Sequence, residues 1–192
     1  MLGAATPDEF RLFFPRTFLD DSVKNDFKKY TEQIDLPYAD LTDYINASII
    51  STTLIGLKDP GNIEQEYDKG RTKSYKGSLP VDEGSPKDFE VTFMLKEALM
   101  NWMILRKQLE VYLEWSRPLN KNFLPPVYCH VLDEEDRVIY EIEYNEIRFK
   151  SISDITLNVQ DNGIISKQFS AGFTYNRRFF KYHQNEFYNN GS

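Results

Sequence analysis

The chain has 192 residues and a formal net charge of −7, and 41% of its residues are apolar. This length and composition allow one globular domain with a well-buried core. They argue against a protein that grips nucleic acid by its phosphates, because there is no Lys/Arg block and the nearest candidate, Arg177-Arg178, has two charges. Twelve tyrosines and fourteen phenylalanines favour strand-rich packing and large buried interfaces.

Cysteine and histidine are scarce. Two histidines and one cysteine are too few for a structural zinc site, and Cys129 has no partner for an intramolecular disulfide. The first residues lack the basic start and the apolar run of a signal peptide. No apolar stretch approaches the roughly 20 residues needed to cross a bilayer. We therefore expect a protein made in the cytosol, with no membrane partner.

Residues 1–40 predict an N-terminal arm. Residues 20–22 (Asp-Asp-Ser) are typical of a helix start, and Pro37 would end that helix. Apolar residues at spacings of four and three share one of its faces: Val23, Phe27 and Tyr30. The aromatic stretch 10–18 has no clear period, and it could pack on its own domain or dock onto a neighbouring subunit.

A long polar segment follows a strand-like one. Residues 44–57 are β-branched and apolar, which favours a strand or two. The polar, Gly- and Pro-containing segment of about 58–87 is too long for a simple connection, and predicts a mobile or functional loop. A long hairpin would fit, with arms at 52–57 and 71–79.

The clearest periods lie in the middle of the chain. Residues 89–95 alternate as a half-buried strand does, with Phe89, Val91 and Phe93 on one side. Apolar residues then recur at spacings of three and four, which predicts one helix over about 96–115 that ends before Pro118.

The C-terminal third predicts further strands. Residues 127–132 and 137–149 flank the acidic turn 133–136, and an irregular link follows at 151–157. In the second of these strands Glu141 and Glu143 share one face, opposite Tyr140, Ile142 and Tyr144. A tight turn at 161–163 leads to a last strand at 168–175.

This order predicts a mostly-β α+β fold, an antiparallel β-sandwich or barrel with one flanking helix. The expected organisation is the arm 1–40, a domain over 41–182 and a flexible tail at 183–192.

Residues with catalytic potential are few. His130 and Cys129 are neighbours on a strand, so they point to opposite faces and cannot act directly as a base–nucleophile pair. The acidic turn lacks the spacing and glycine of a calcium loop. Glu141 and Glu143 could be glycosidase-like carboxylates or a charged face of an assembly. We expect no enzyme activity, no metal and no cofactor.

The segment 89–180 resembles the tube proteins of phage tails, above all those of contractile tails, which are related to type VI secretion tubes. Five features carry the resemblance: Asp88-Phe89-Glu90-Val91-Thr92-Phe93 before the helix, Asn101-Trp102 in its first turns, a Tyr-rich strand pair about an acidic hairpin, Ile147-Arg148-Phe149 followed by Ile152-Ser153-Asp154-Ile155, and the closing run 168–175. The resemblance implies a sandwich of which six copies join into a ring, and rings that stack into a tube, the conduit through which DNA passes without specific binding.

In that setting Glu141 and Glu143 are candidates for an acidic lumen wall. The 58–87 loop is the candidate ring-stacking element, with charged residues that include Lys58, Asp59, Asp68, Arg71 and Lys73. Implied partners are further copies of the chain, sheath, baseplate and tape-measure proteins, and the implied location is a virion tail assembled in the bacterial cytoplasm. Alternatives of the same fold are a baseplate–tube initiator, a tail terminator or a secretion-system tube component.

Overall fold

A computed structural model describes residues 10–34, 37–53, 63–67, 71–75, 87–116, 123–133, 136–158, 163–164 and 167–183. Numbered in chain order, the elements are β1 (Phe10–Phe13), α1 (Asp21–Ile34), α2 (Leu41–Asn46), β2 (Ile49–Thr52), β3 (Ile63–Tyr67), β4 (Arg71–Tyr75), β5 (Asp88–Met94), α3 (Met100–Ser116), β6 (Val127–Leu132), β7 (Val138–Asn145), β8 (Arg148–Ile152), β9 (Leu157–Asn158), β10 (Gly163–Ile164), β11 (Gln168–Thr174) and β12 (Arg177–Tyr182). The predicted mostly-β α+β class is confirmed.

Two four-stranded antiparallel sheets form the body of the protein. Sheet A has the order β1-β6-β7-β12, and sheet B has the order β2-β5-β11-β8. Their inner faces meet, since the rings of Phe89 on sheet B and Tyr144 on sheet A stack with centroids 4.6 Å apart. The sheets stay separate, so the fold is a sandwich rather than a closed barrel.

The strand predicted over 137–149 is two strands in different sheets. β7 ends at Asn145 in sheet A and β8 begins at Arg148 in sheet B. Between them Glu146 has a positive φ of 54°, a conformation that turns the chain. The link predicted at 151–157 is in part the end of β8. The strand at 168–175 is confirmed as β11, although β12 follows it.

The segment 44–57 begins as a helix, not as a strand. α2 covers Leu41–Asn46, and the strand described in this segment is Ile49–Thr52, while residues 54–57 lie outside the described residues. Asp40 caps α2, because its side chain accepts a hydrogen bond of 2.7 Å from the Thr42 amide. Tyr44 and Ile45 are buried from this helix, so the β-branched composition of the segment serves core packing.

Inside the 58–87 segment the structure describes one hairpin. Its arms are β3 and β4, which pair antiparallel from Ile63 opposite Tyr75 to Tyr67 opposite Arg71. The predicted first arm, 52–57, is wrong at Thr52, which belongs to β2 in sheet B, and the arm that pairs with β4 is β3. Residues 54–57 of the predicted arm lie outside the described residues. A second two-stranded ladder, β9 with β10, flanks the predicted turn 161–163, of which residues 161 and 162 lie outside the described residues.

The predicted helix is confirmed as α3, which starts at Met100 rather than near 96. The preceding 3₁₀ turn, Glu97–Leu99, contains two residues with positive φ, Ala98 at 52° and Leu99 at 62°. The fully buried Asn101 side chain ties this turn down. Its Nδ2 donates to the Met94 carbonyl at 2.6 Å, and its Oδ1 accepts from the Lys96 amide at 3.2 Å.

The aromatic stretch near the N-terminus belongs to the core. Of the two alternatives for residues 10–18, packing on the chain's own domain is the one seen, because Phe14 and Phe18 are buried and contact the Phe173 ring at 5.5 and 6.3 Å. β1 adds an edge strand to sheet A by pairing with β6. From Phe10 onward the predicted arm thus includes structural parts of the sandwich.

Candidate functional site: the outer face of sheet A

The outer face of sheet A gathers most of the functional candidates. Because side chains alternate along a strand, residues paired across neighbouring strands share a face. The registers align two rows across all four strands. One row is Arg11, His130, Glu141 and Lys181, and the other is Phe13, Tyr128, Glu143 and Phe179. A charged row thus lies beside a mainly aromatic one.

Glu141 lies at the centre of a basic cluster. Its Oε2 is 3.7 Å from His130 Nε2, 3.6 Å from His183 Nε2 and 4.0 Å from Lys181 Nζ. The chain has only two histidines, and both contact this one oxygen. Lys181 is two-thirds exposed, whereas the two histidines and Glu141 are about one-fifth exposed. The negative charge of Glu141 is therefore balanced locally.

Two further carboxylates at the edges of this face are paired with arginines. Arg11 pairs with Asp136 at 2.9 Å, and Arg177 pairs with Glu146 at 3.3 Å. Glu143 accepts a hydrogen bond of 2.8 Å from the Asn145 amide. With Glu141, Lys181 and the Asp133–Arg137 pair of the turn, the described part of the face and its turns carries five carboxylates against four permanent cations.

The aromatic row gives this face apolar area. The Phe13 ring stacks on Tyr128 at 5.4 Å and meets the His130 ring edge-on at 5.1 Å. Phe179 is 55% exposed, one of the most open large apolar side chains of the described part. Such rings offer flat surfaces on which another planar group can stack.

The face also contains residues that sequence reasoning missed. β12 contributes Arg177, Phe179 and Lys181 to it, and His183 follows directly. The available signal is the run of charged and aromatic residues over 177–182, which continues past the predicted last strand, 168–175. His130 and Cys129 do point to opposite faces: Cys129 is fully buried, and burial raises the pKa of its thiol to about 11.

The predicted ring-stacking residues lie elsewhere or outside the described part. Arg71 and Lys73 are on β4. Lys58, Asp59 and Asp68 lie outside the described residues. Within the described ranges no group of three or more His, Cys, Asp or Glu side chains is arranged to hold a metal ion. None of the helices described has the length and apolar character needed to span a bilayer.

Both sheets end in strands paired on one side only within the described part. These edge strands are β1 and β12 in sheet A, and β2 and β8 in sheet B. Each sheet has four strands in strictly antiparallel order, so its two edge strands run in opposite directions. A head-to-tail neighbour would therefore meet β12 with its own β1 in antiparallel orientation.

Comparison with known proteins gives matches among solved structures alone, and these are of low similarity. No protein-family model matches the sequence, and no curated protein matches it. Among solved structures, a chain of the PVC sheath–tube complex of an extracellular contractile injection system has 10% identity and a TM-score of 0.38, over 70% of this chain and 80% of that one. A chain of the PVC sheath/tube terminator has 11% identity and a TM-score of 0.40, over 69% and 84%. A type six secretion system protein has 11% identity and a TM-score of 0.36, over 70% and 68%. All three TM-scores are below 0.5, so the function of this chain is argued from its own residues.

Proposed function

We propose that this protein is a structural building block whose copies join through their sheet edges into a ring, as in a contractile-tail tube. The observation that carries the proposal is the pair of oppositely directed edge strands of sheet A, β1 and β12, each paired on one side only within the described residues. An exposed strand edge invites pairing with another chain, and a closed ring satisfies both edges of sheet A in every copy. Since the junction of β12 with a neighbouring β1 is antiparallel, it repeats the pairing found inside each copy.

In this arrangement the sheet A strands of all copies form one continuous wall. Its outer face, with Glu141 and Glu143, is then the lumen surface of the tube. The near balance of charge on this face suits a conduit, because neither strong attraction nor strong repulsion would hold a passing polyanion. We infer rings of six on the resemblance of the sequence alone.

Stacking of rings is assigned to the β3–β4 hairpin, which carries Arg71 and Lys73. It forms a two-stranded sheet outside both main sheets. Replacing residues 63–75 by a short Gly-Ser linker should leave folded protein that forms single rings without long tubes. Long tubes from this variant would refute the assignment.

Electron microscopy with a solution mass tests the ring itself. Hollow rings or tubes with sixfold end views are expected at high concentration. Disulfide trapping then tests the junction: the double variant Arg11→Cys/Lys181→Cys places one thiol on each edge strand of sheet A, in the same row. Under oxidation it should give a ladder of linked copies on a denaturing gel, while each single variant gives dimers at most. A double variant without a ladder, together with a monomeric mass, would contradict edge-to-edge assembly.

The same edges would serve a protein used in a single ring, such as a terminator or an initiator. Growth distinguishes the two: a tube protein elongates with concentration, whereas a terminator stops at one ring. The proposal assigns no catalytic step to the chain.

A further inference from the structure

Phe179 is an exposed aromatic side chain on an edge strand of sheet A. It is 55% exposed, and the other exposed aromatic side chains of the described part lie outside the sheets. Its cross-strand neighbour in its own copy is Glu143, so no ring of its own row lies beside it. At the opposite edge of the sheet the same row ends in Phe13, which is half-buried and stacks on Tyr128. Each edge of sheet A therefore carries one phenylalanine of this row.

The backbone of β12 at Phe179 is bonded within its own copy. The His183 amide donates to the Ile139 carbonyl at 3.1 Å, which continues the ladder between β12 and β7. Since backbone groups alternate in direction along a strand, those of Phe179 also point to β7. The Phe179 side chain is thus left to contact whatever lies beyond this edge.

The backbone of β1 at Phe13 is placed in the same way. The side-chain amide of Asn46 accepts from the Phe14 amide and donates to the Phe14 carbonyl, both at 2.9 Å. The backbone of Phe14 is therefore turned away from β6, and that of Phe13 is turned towards it. Asn46 also ends the open edge of β1, because it occupies the backbone groups that follow Phe13.

We infer that Phe179 packs against Phe13 of the next copy, and that this aromatic contact anchors the junction between copies. The inference rests on the proposed function for the pairing of β12 with a neighbouring β1. Both residues then lie at positions without hydrogen bonds across the junction, where facing side chains come closest. A shift of two residues, as closure of a ring can require, keeps both rings on one face as diagonal neighbours within reach of each other.

The charged row meets at the same junction. Arg11 of one copy lies near Lys181 of the next, and like charges side by side are unfavourable. Each cation has a carboxylate of its own copy, Asp136 at 2.9 Å and Glu141 at 4.0 Å, and both cations are about two-thirds exposed. The repulsion is therefore small. The aromatic row, rather than the charged row, holds the copies together.

The first test is assembly of a charged variant. Loss of a well-packed aromatic contact weakens an interface about tenfold or more. Phe179→Glu should therefore need at least about a tenfold higher concentration than the wild type to form rings. Met103→Glu adds the same charge at an exposed apolar side chain on α3, away from both edges, and should form rings as the wild type does. Equal ring formation by Phe179→Glu and the wild type would overturn the inference.

Cross-linking tests whether the two positions meet. Cys129 is buried, so a short bismaleimide reagent reacts at introduced thiols. In a mixture of Phe13→Cys and Phe179→Cys copies, the reagent should link one copy of each kind. Either variant alone should give no dimer, because in a head-to-tail junction its thiol faces a phenylalanine. Phe13→Cys mixed with Met103→Cys is the matched control and should also give none.

The outcomes separate this inference from the proposed function. Wild-type rings without a link between positions 13 and 179, or with equal linkage in the control mixture, overturn the aromatic contact and leave edge-to-edge assembly standing. A wild-type protein that stays monomeric at every concentration and gives no link in the first mixture overturns both.

Discussion

Asn101 is the polar residue whose loss should cost the sandwich most. It is fully buried at the start of α3 and bonds the end of β5 to the turn before the helix. In Asn101→Ala the Met94 carbonyl and the Lys96 amide lose their partner. A buried polar group left unsatisfied costs about 1–3 kcal/mol, so this variant should lose about 2–4 kcal/mol of unfolding free energy. Since domains have about 5–15 kcal/mol in total, that is a large fraction.

Urea unfolding followed by circular dichroism and tryptophan fluorescence measures this loss. Asn176→Ala is the matched control, because Asn176 is exposed and makes one side-chain bond, to Glu146 at 3.0 Å. That control should stay within about 0.5 kcal/mol of the wild type. Asn101→Asp keeps the acceptor, loses the donor to Met94 and buries a charge, so it should cost at least as much as alanine. A loss below about 0.5 kcal/mol for Asn101→Ala would refute the reasoning.

Three further predictions follow from burial and charge. Phe14→Ala should lower the free energy of unfolding by about 3–5 kcal/mol, as expected for truncating a buried aromatic ring. The neighbouring Phe13→Ala, on the outer face, should lower it clearly less. Equal losses in urea unfolding would contradict the assignment of Phe14 to the core. Burial raises the pKa of Asp40, but hydrogen bonds from Lys24 and Thr42 outweigh it and leave this pKa below its usual value. The ionised Asp40 carboxylate therefore contributes fully to the free energy of unfolding above the unfolded-state pKa of about 4, and this contribution is lost as the pH falls through the pKa of the folded state. The difference in unfolding free energy between the wild type and Asp40→Asn should shrink in acid. A difference that stays constant with pH would refute this prediction. Because burial raises the pKa of Cys129 to about 11, its thiol should react with a thiol reagent at pH 8 far more slowly in the native protein than in urea; equal rates would show that the site is open.

The elements that could be predicted are those with a strong local period. In β5, β6 and β11 apolar residues recur at about every second position, and in α3 they recur every three or four residues. In each element these residues lie on the side that the structure buries. For these elements the pattern is enough, because burial of one face decides their conformation.

The elements that were missed depend on distant partners or on single backbone angles. β1 has four residues and becomes a strand by pairing with β6, more than a hundred residues away in the chain. Tyr44 and Ile45 favour strands and predict one where the end of α2 lies, although Asp40 is a helix-cap signal. The break between β7 and β8 rests on the positive φ of Glu146, which no pattern of residue types announces.

The same distinction applies to the candidate site. The alternation of Glu141 and Glu143 could be predicted from period two, and the hairpin turn brings His130 opposite Glu141. His183 joins them through β12, which had not been predicted, so the cluster as a whole could not be found from the sequence.

The distribution of charge changes how the acidity of this protein should be interpreted. Eleven of the 30 acidic residues and five of the 23 basic residues lie outside the described ranges, which leaves 19 acidic against 18 basic residues in the described part. Six of the seven net negative charges therefore lie outside the described residues, and the net charge of −7 does not by itself make an acidic wall of sheet A. On this face the contacts of single groups matter more than the net charge of the chain, because the Glu141 carboxylate lies within 4.0 Å of Lys181 and of both histidines.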